Sequence, residues 1–161
     1  MERLWAPWRM EYITEEPRPG CLFCRVINDP ADQDAALVVW RPGGAIVLLN
    51  KFPYNPGHVM VAPVAHTGNL EDLDDAQTAD LIRALKRTIA VLKMTLKPEG
   101  FNVGANIGRV AGAGMPDHVH LHVVPRWNGD TNFMPIIGEV KVVNEHLAQT
   151  AAKLSEAFVS S

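Results

Sequence analysis

The stretch Asp117–Trp127, "DHVHLHVVPRW", decides the fold. His118, His120 and His122 stand at every second position, with Val119, Leu121 and Val123 on the alternate ones. Strand side chains alternate faces, so this spacing predicts a strand over Val119–Val124 with its imidazoles in one row, roughly 6.5–7 Å apart, and its aliphatic chains on the opposite face. Such a row suits a metal site built from neutral imidazoles. It equally suits nucleophilic catalysis, in which one imidazole attacks while its neighbours fix its tautomer and stabilise charge. Spacing alone does not choose between them.

Working outward, "ALVVWRPGGAIVLLNKF" reads as two strands joined by a turn at Pro42-Gly43-Gly44. A short apolar strand follows over His58–Ala62, stopped by Pro63. Leu81, Leu85, Ile89, Leu92 and Leu96 recur at helical spacing, which predicts one long helix from about Asp74, its N-cap, to Leu96, ended by Pro98-Glu99-Gly100. "GFNVGAN" reads as a strand, "IGRVAGAGMPD" as a loop too rich in glycine for either regular element, and Asn144–Phe158 as a C-terminal helix. The class is α+β, a mainly antiparallel sheet with helices on one side. Residues 1–20 read as an irregular arm, residues 21–135 as the core and residues 136–161 as a C-terminal extension carrying its helix, all in one domain.

With 161 residues the chain is long enough to bury a core without disulfides. Its apolar runs, such as "AIVLL", are far short of the roughly 18 residues of a membrane span. The N-terminal "MERLWAPWRMEYI" is broken by charges and lacks the apolar core of a secretory signal, which points to the cytoplasm. A net charge of −3 gives no electrostatic footprint for nucleic acid or a membrane surface, so neither is expected as a partner. A small anion in a local pocket remains open. Cys21 and Cys24 are too close together to staple a fold, and the pair reads as half of a metal site or as a redox couple.

"HVHLHVV" resembles the histidine-triad motif of the HIT superfamily of nucleotide hydrolases and transferases, matching it at all seven positions. "LNKFPYNPGHVMVAPVAH" and "FNVGAN" are similar to further segments of that family, in its order, and the resemblance covers roughly residues 20 to 135. It implies a five-stranded sheet with one long helix and a C-terminal helix. It also implies a nucleotidyl group carried covalently on the middle histidine, here His120. By the same likeness His122 touches the non-bridging phosphate oxygens, and His58, in "NPGH", lies near the phosphate. Asn50 grips the ribose hydroxyls, Leu48 lines the base pocket and Asn106 is a polar residue near the phosphate. The glycine-rich loop, with Gly112 and Gly114, brings backbone N–H groups toward an anion. Met115 departs from the family's usual Ser or Thr and cannot donate a hydrogen bond to the leaving oxygen.

Cys21, Cys24, His66 and His118 resemble the four-ligand zinc site of some bacterial members and of the related galactose-1-phosphate uridylyltransferases. Two thiolates and two imidazoles make a closed structural site with no position open for catalysis. Two buried thiols beside a solvated His66 are the alternative. His146 matches no role and is expected in solvent, and Trp5, Trp8 and Trp127 are expected to pack. Arg126 is either a contact to distal phosphates or a surface arginine.

"VVPRWNGDTNF" and the arm "LWAPWRMEYI" are similar to the dinucleoside-polyphosphate branch of the family. The expectation is a homodimeric enzyme that cleaves an adenine dinucleoside polyphosphate at the α-phosphate, with inorganic phosphate or water as acceptor. Its alternatives are a phosphoramidase acting on an adenine mononucleotide derivative, a non-catalytic nucleotide-binding module, and a three-histidine catalytic metal site.

Overall fold

The computed structural model describes residues 18–130 and 146–160. Trp5 and Trp8, the end of the expected core beyond residue 130 and the expected start of the last helix at Asn144 lie outside these residues. Five strands, β1 (Val38–Trp40), β2 (Ala45–Leu49), β3 (Val59–Pro63), β4 (Gly100–Gly104) and β5 (Leu121–Arg126), form one sheet in the order β1-β2-β3-β5-β4. Every neighbouring pair is antiparallel. The hairpin turn falls at Pro42–Gly44 as its residues predict, and Gly43 supplies a φ of +70°.

β5 begins two residues later than the alternation suggests and runs on through Pro125. A proline fits there because the β3 pairing ends before it: Val123, His122 and Leu121 pair with Val59, Met60 and Val61, whereas Pro125 faces only Phe101 of β4. His118 and His120 precede the strand, yet the alternation of faces continues through them. Val119 and Val123 enter one core while His118 and His120 lie against Phe23 on the other side.

The long helix, α2 (Asp75–Leu96), starts at a full capping box. The Asp74 carboxylate accepts from Gln77 N–H and the Gln77 side chain accepts from Asp74 N–H. Its Leu81, Ala84, Val91 and Leu92 pack on Val47, Val59, Val61 and Val123, together with Ala151, Leu154 and Phe158 of α3 (Leu147–Ser160). Trp40 stacks on Phe158 at 4.8 Å, so the C-terminal helix is built into the main core. Both helices expected from sequence thus cover one face.

A third, α1 (Leu22–Asn28), lies on the opposite face, where Phe23 and Val26 pack with Ile46, Leu48, Met60 and Ala62. No helix among the described residues is long and apolar enough to cross a membrane.

Gly57, in "NPGH", adopts a φ of +74°, and a Cβ there would lie 2.3 Å from Cδ1 of Leu96. The tight turn that delivers His58 into β3 therefore needs glycine for its backbone angle and for its contact with α2. Gly57→Ala is expected to cost about 1–3 kcal/mol of stability, read as a lower midpoint in urea unfolding at unchanged slope.

Candidate active site and metal centre

On the α1 face lies a cleft of about 550 Å³. That volume suits a small organic ligand. Its floor includes Leu48 and Met60; Asn50, Asn106, Gly112, Gly114, Met115, His120 and His122 also line it. All the residues expected to bind nucleotide thus meet in one cavity. Leu22, Phe23, Asp34, Leu37 and Tyr54, which sequence reasoning did not single out, line it as well.

Hydrogen bonds fix the state of each imidazole. Nδ1 of His120 sits 2.9 Å from the carbonyl oxygen of His118. A carbonyl only accepts, so Nδ1 carries the proton and the lone pair belongs to Nε2, the nitrogen left for the cleft. Burial lowers the pKa of His120, against a smaller opposing effect of that carbonyl. A neutral ring with a lone pair is the state a nucleophile requires.

His122 is set by a relay. The N–H of Tyr54 donates to Nδ1 of His58 at 3.1 Å, which places the His58 proton on Nε2. Nε2–H then donates to Nδ1 of His122 at 3.0 Å, so His122 carries its own proton on Nε2. His122 therefore presents a donor where His120 presents a lone pair, although their rings are only 4.9 Å apart. Burial, with a smaller contribution from His120, pushes the pKa of His122 down to about 4. His58 is wholly buried and does not line the cleft, and it touches the lining residues His122 and Tyr54.

His118 faces a different set of partners. Its Nε2 donates to the carbonyl of Pro63 at 2.9 Å, which leaves the Nδ1 lone pair 3.3 Å from Cys21 Sγ, 3.7 Å from Cys24 Sγ and 3.3 Å from His66 Nδ1. Cys24 Sγ lies 3.2 Å from His66 Nδ1. Zinc–sulfur and zinc–nitrogen bonds of about 2.3 and 2.0 Å in a tetrahedron place ligand atoms about 3.3–3.8 Å apart. The four separations just given, 3.2–3.7 Å, match that spacing, and all four ligand atoms lie within 4.8 Å of one another. The Pro63 carbonyl is the kind of partner that orients a metal-bound histidine. His118, His120 and His122 do not share one ligand set, because each Nδ1 has a different partner.

Several expected features take other roles. Arg126 is held by Asp130, with Nε–Oδ2 at 2.6 Å and Nη2–Oδ1 at 2.8 Å, and it donates to Asn102 at 2.7 Å. That pairing holds the Asp130 carboxyl well below its ordinary range. Arg126 does not line the cleft, and its bonds to Asp130 and Asn102 clamp the β4–β5 end. In the glycine-rich loop, the N–H groups of Ala111, Gly112 and Ala113 are spent on carbonyls of Gly108 and Arg109. Gly112 serves the turn through its φ of +86°, and Gly114 and Met115 follow it along this wall of the cleft. Asn50 spends its side-chain oxygen on Phe52 N–H at 2.8 Å and keeps its amide N–H₂ for a ligand. His146 is exposed, as expected.

This fold, with His120 and His122 lining the cleft and His118 beside them at the cysteine–histidine cluster, defines a histidine-triad protein. The sequence profile of the HIT domain matches residues 31–129, and the chain belongs to that family. It is 40% identical over 164 residues to an AP-4-A phosphorylase of Mycobacterium tuberculosis, spanning 96% of this chain and 83% of that one. A HIT-like protein of Methanocaldococcus jannaschii is 36% identical over 124 residues, 77% of this chain and 92% of its own. Among solved structures, a histidine triad nucleotide-binding protein from Sulfolobus tokodaii superposes with a TM-score of 0.70 at 27% identity, covering 87% of this chain and 93% of that one. A zinc-bound histidine triad family protein from Mycobacterium smegmatis gives a TM-score of 0.70 at 25% identity, covering 88% and 94%.

Folded His122 takes a proton only below about pH 4, whereas an unfolded histidine takes one below about 6.5. Its neutral burial leaves stability unaffected above pH 6.5 and reduces it progressively as the pH falls from 6.5 to 4. Urea unfolding between pH 7.5 and 4 should show that decline, and His122→Gln should make it shallower. An unchanged slope in the variant contradicts the assignment.

Proposed function

We propose that the protein is a nucleotidyl-transferring enzyme that cleaves adenine dinucleoside polyphosphates, such as diadenosine tetraphosphate, at the α-phosphate. The observation that carries the reading is the split in tautomer between adjacent rings: His120 offers a lone pair and His122 an N–H to the same cleft. In the first step Nε2 of His120 attacks the α-phosphorus, an N–P bond forms and the P–O bond to the β-phosphate breaks. The departing nucleoside polyphosphate keeps that electron pair. Nε2–H of His122 donates to the non-bridging oxygens, where charge develops. In the second step an oxygen of inorganic phosphate or water attacks the same phosphorus, and the N–P electron pair returns to His120.

Passing through the imidazole divides one displacement on a charged phosphate into two easier ones. Met115 supplies no hydroxyl to the leaving oxygen, so His122 and the N–H groups of Gly114 and Met115 are the donors on that side. Asn50 holds the ribose through its amide, and Leu48, Leu22 and Phe23 enclose the base. The relative named AP-4-A phosphorylase supports phosphate as the acceptor.

Incubation with diadenosine tetraphosphate, with and without inorganic phosphate, tests the reaction. ADP and ATP should form only when phosphate is present. AMP and ATP in both mixtures indicate hydrolysis, and no cleavage in either overturns the enzymatic reading. His120→Ala is expected to lower turnover at least about 10³-fold while AMP binding stays within a few-fold of the parent.

Cys21, Cys24, His66 and His118 hold a structural zinc in this proposal, and thiol ligands suit a reducing cytoplasm. Bound there, the ion supplies a cross-link between α1 and the histidine segment, with no coordination position open to substrate. The chain is also proposed to form a two-fold dimer through β4, an edge strand whose Val103 and the nearby Ile107 are each 44% exposed. Native mass spectrometry checks both statements in one spectrum. The expected ion has the mass of two chains with about one zinc for each, and a metal-free monomer contradicts both.

A further inference from the structure

Asp34 lies at the end of the cleft remote from the histidines, on the 3₁₀ turn Gln33–Leu37 that leads into β1. It is only 9% exposed, and its Oδ2 receives Arg18 and Arg25, the latter at 3.3 Å. Among the described residues its Oδ1 has no hydrogen bond, and the residue opens into the cleft. A carboxylate oxygen is an acceptor only. Arg18 and Arg25 line the same end of the cavity, beside Leu22 and Leu37, and their guanidinium groups, turned to Oδ2, hold Oδ1 in place as a hydrogen-bond acceptor.

The sheet gives the distance. Val38, Leu48, Met60 and His122 are direct cross-strand partners and form a straight row on the cleft face. Three strand spacings of about 4.8 Å put Val38 roughly 14 Å from His122. Asp34 is four residues before Val38. In the pose proposed here, with the phosphate at His120 and His122 and the base over Leu48, the base edge farthest from the sugar lies on the Asp34 side of the cleft.

We propose that Asp34 reads the base. Its Oδ1 accepts a hydrogen bond from an exocyclic amine at the far edge, so the cleft selects 6-aminopurine over 6-oxopurine nucleotides. A carbonyl at that position sets two acceptors against each other and leaves the carboxylate oxygen unpaired under the bound base. This inference rests on the cleft being the nucleotide site.

The test is equilibrium binding of AMP and IMP, which differ at C6 and in the adjoining N1 proton, followed by calorimetry so that catalysis plays no part. Wild-type protein is expected to bind AMP about tenfold or more tightly than IMP. Asp34→Ala should bring the two affinities together. Asp32→Ala removes the other carboxylate that holds Arg18 and Arg25 but does not line the cleft, and it should keep the preference. Equal affinities in the wild type overturn the inference even if no Asp34 variant folds, and a preference that survives Asp34→Ala overturns it too. Failure of both nucleotides to bind the wild type overturns the nucleotide reading of the cleft itself.

Discussion

The pairing of β3 with β5, His122 opposite Met60, is the constraint on which the site depends. Because side chains alternate, a slip of one residue would send His118, His120 and His122 into the α2–α3 core and bring Val119, Leu121 and Val123 into the cleft. Burial on both faces forbids the slip. Val123 and Val119 are enclosed by aliphatic groups of α2, α3 and β3, and three imidazoles placed there would lose every polar partner they now have. The same register aligns Leu48 and Met60 with His122, so the cleft's floor and its chemistry are one row of residues.

The sheet, α2 and α3 were legible because each carries a strong local signal: alternation in β5, a turn at Pro42–Gly44, and a capping box at Asp74 followed by leucines at helical spacing. α1 was not. It has seven residues, its N-cap Cys21 makes no side-chain capping bond, and only Phe23 and Val26 mark a buried face. Its helical state follows from tertiary packing more than from local preference. The histidines of the triad could be found from spacing, but their protonation states could not. Those depend on Pro63, Tyr54 and His58, which the fold brings from other strands and loops. Arg126 beside the triad segment looked available to a ligand until Asp130 and Asn102 were seen to hold it. Asp34 sits in a polar stretch with no motif, and only its burial at the cleft distinguishes it.

α1 ties the two centres together. Cys21 and Cys24 bring one side of it to His66 and His118, and Phe23 between them rests on His118 at 4.8 Å and on His120 at 4.9 Å. One short helix therefore carries two candidate metal ligands, a wall of the cleft and a packing contact to the proposed nucleophile. Arg25, one turn on, joins Arg18 in holding Asp32 and Asp34, so the same helix supports the far end of the cavity. A helix this short does not hold itself in place. Its position comes from the packing of Phe23 and Val26, reinforced at its N-terminal half by the cysteine–histidine cluster and the arginine–aspartate network.

The donor set of that cluster also matters electrostatically. Two thiolates balance the two positive charges of a zinc ion, and two neutral imidazoles add none, so the proposed centre is formally uncharged. An all-histidine site would place a net double positive charge about two residues from His120 and would make a metal ion compete for the lone pair the reaction needs. The arrangement seen here keeps the roles apart. His118 turns Nδ1 to the cysteines, and its own carbonyl accepts the His120 Nδ1–H that fixes the tautomer of the proposed nucleophile. The cluster can thus anchor the backbone that orients His120 while leaving the Nε2 lone pair to the attack proposed for it.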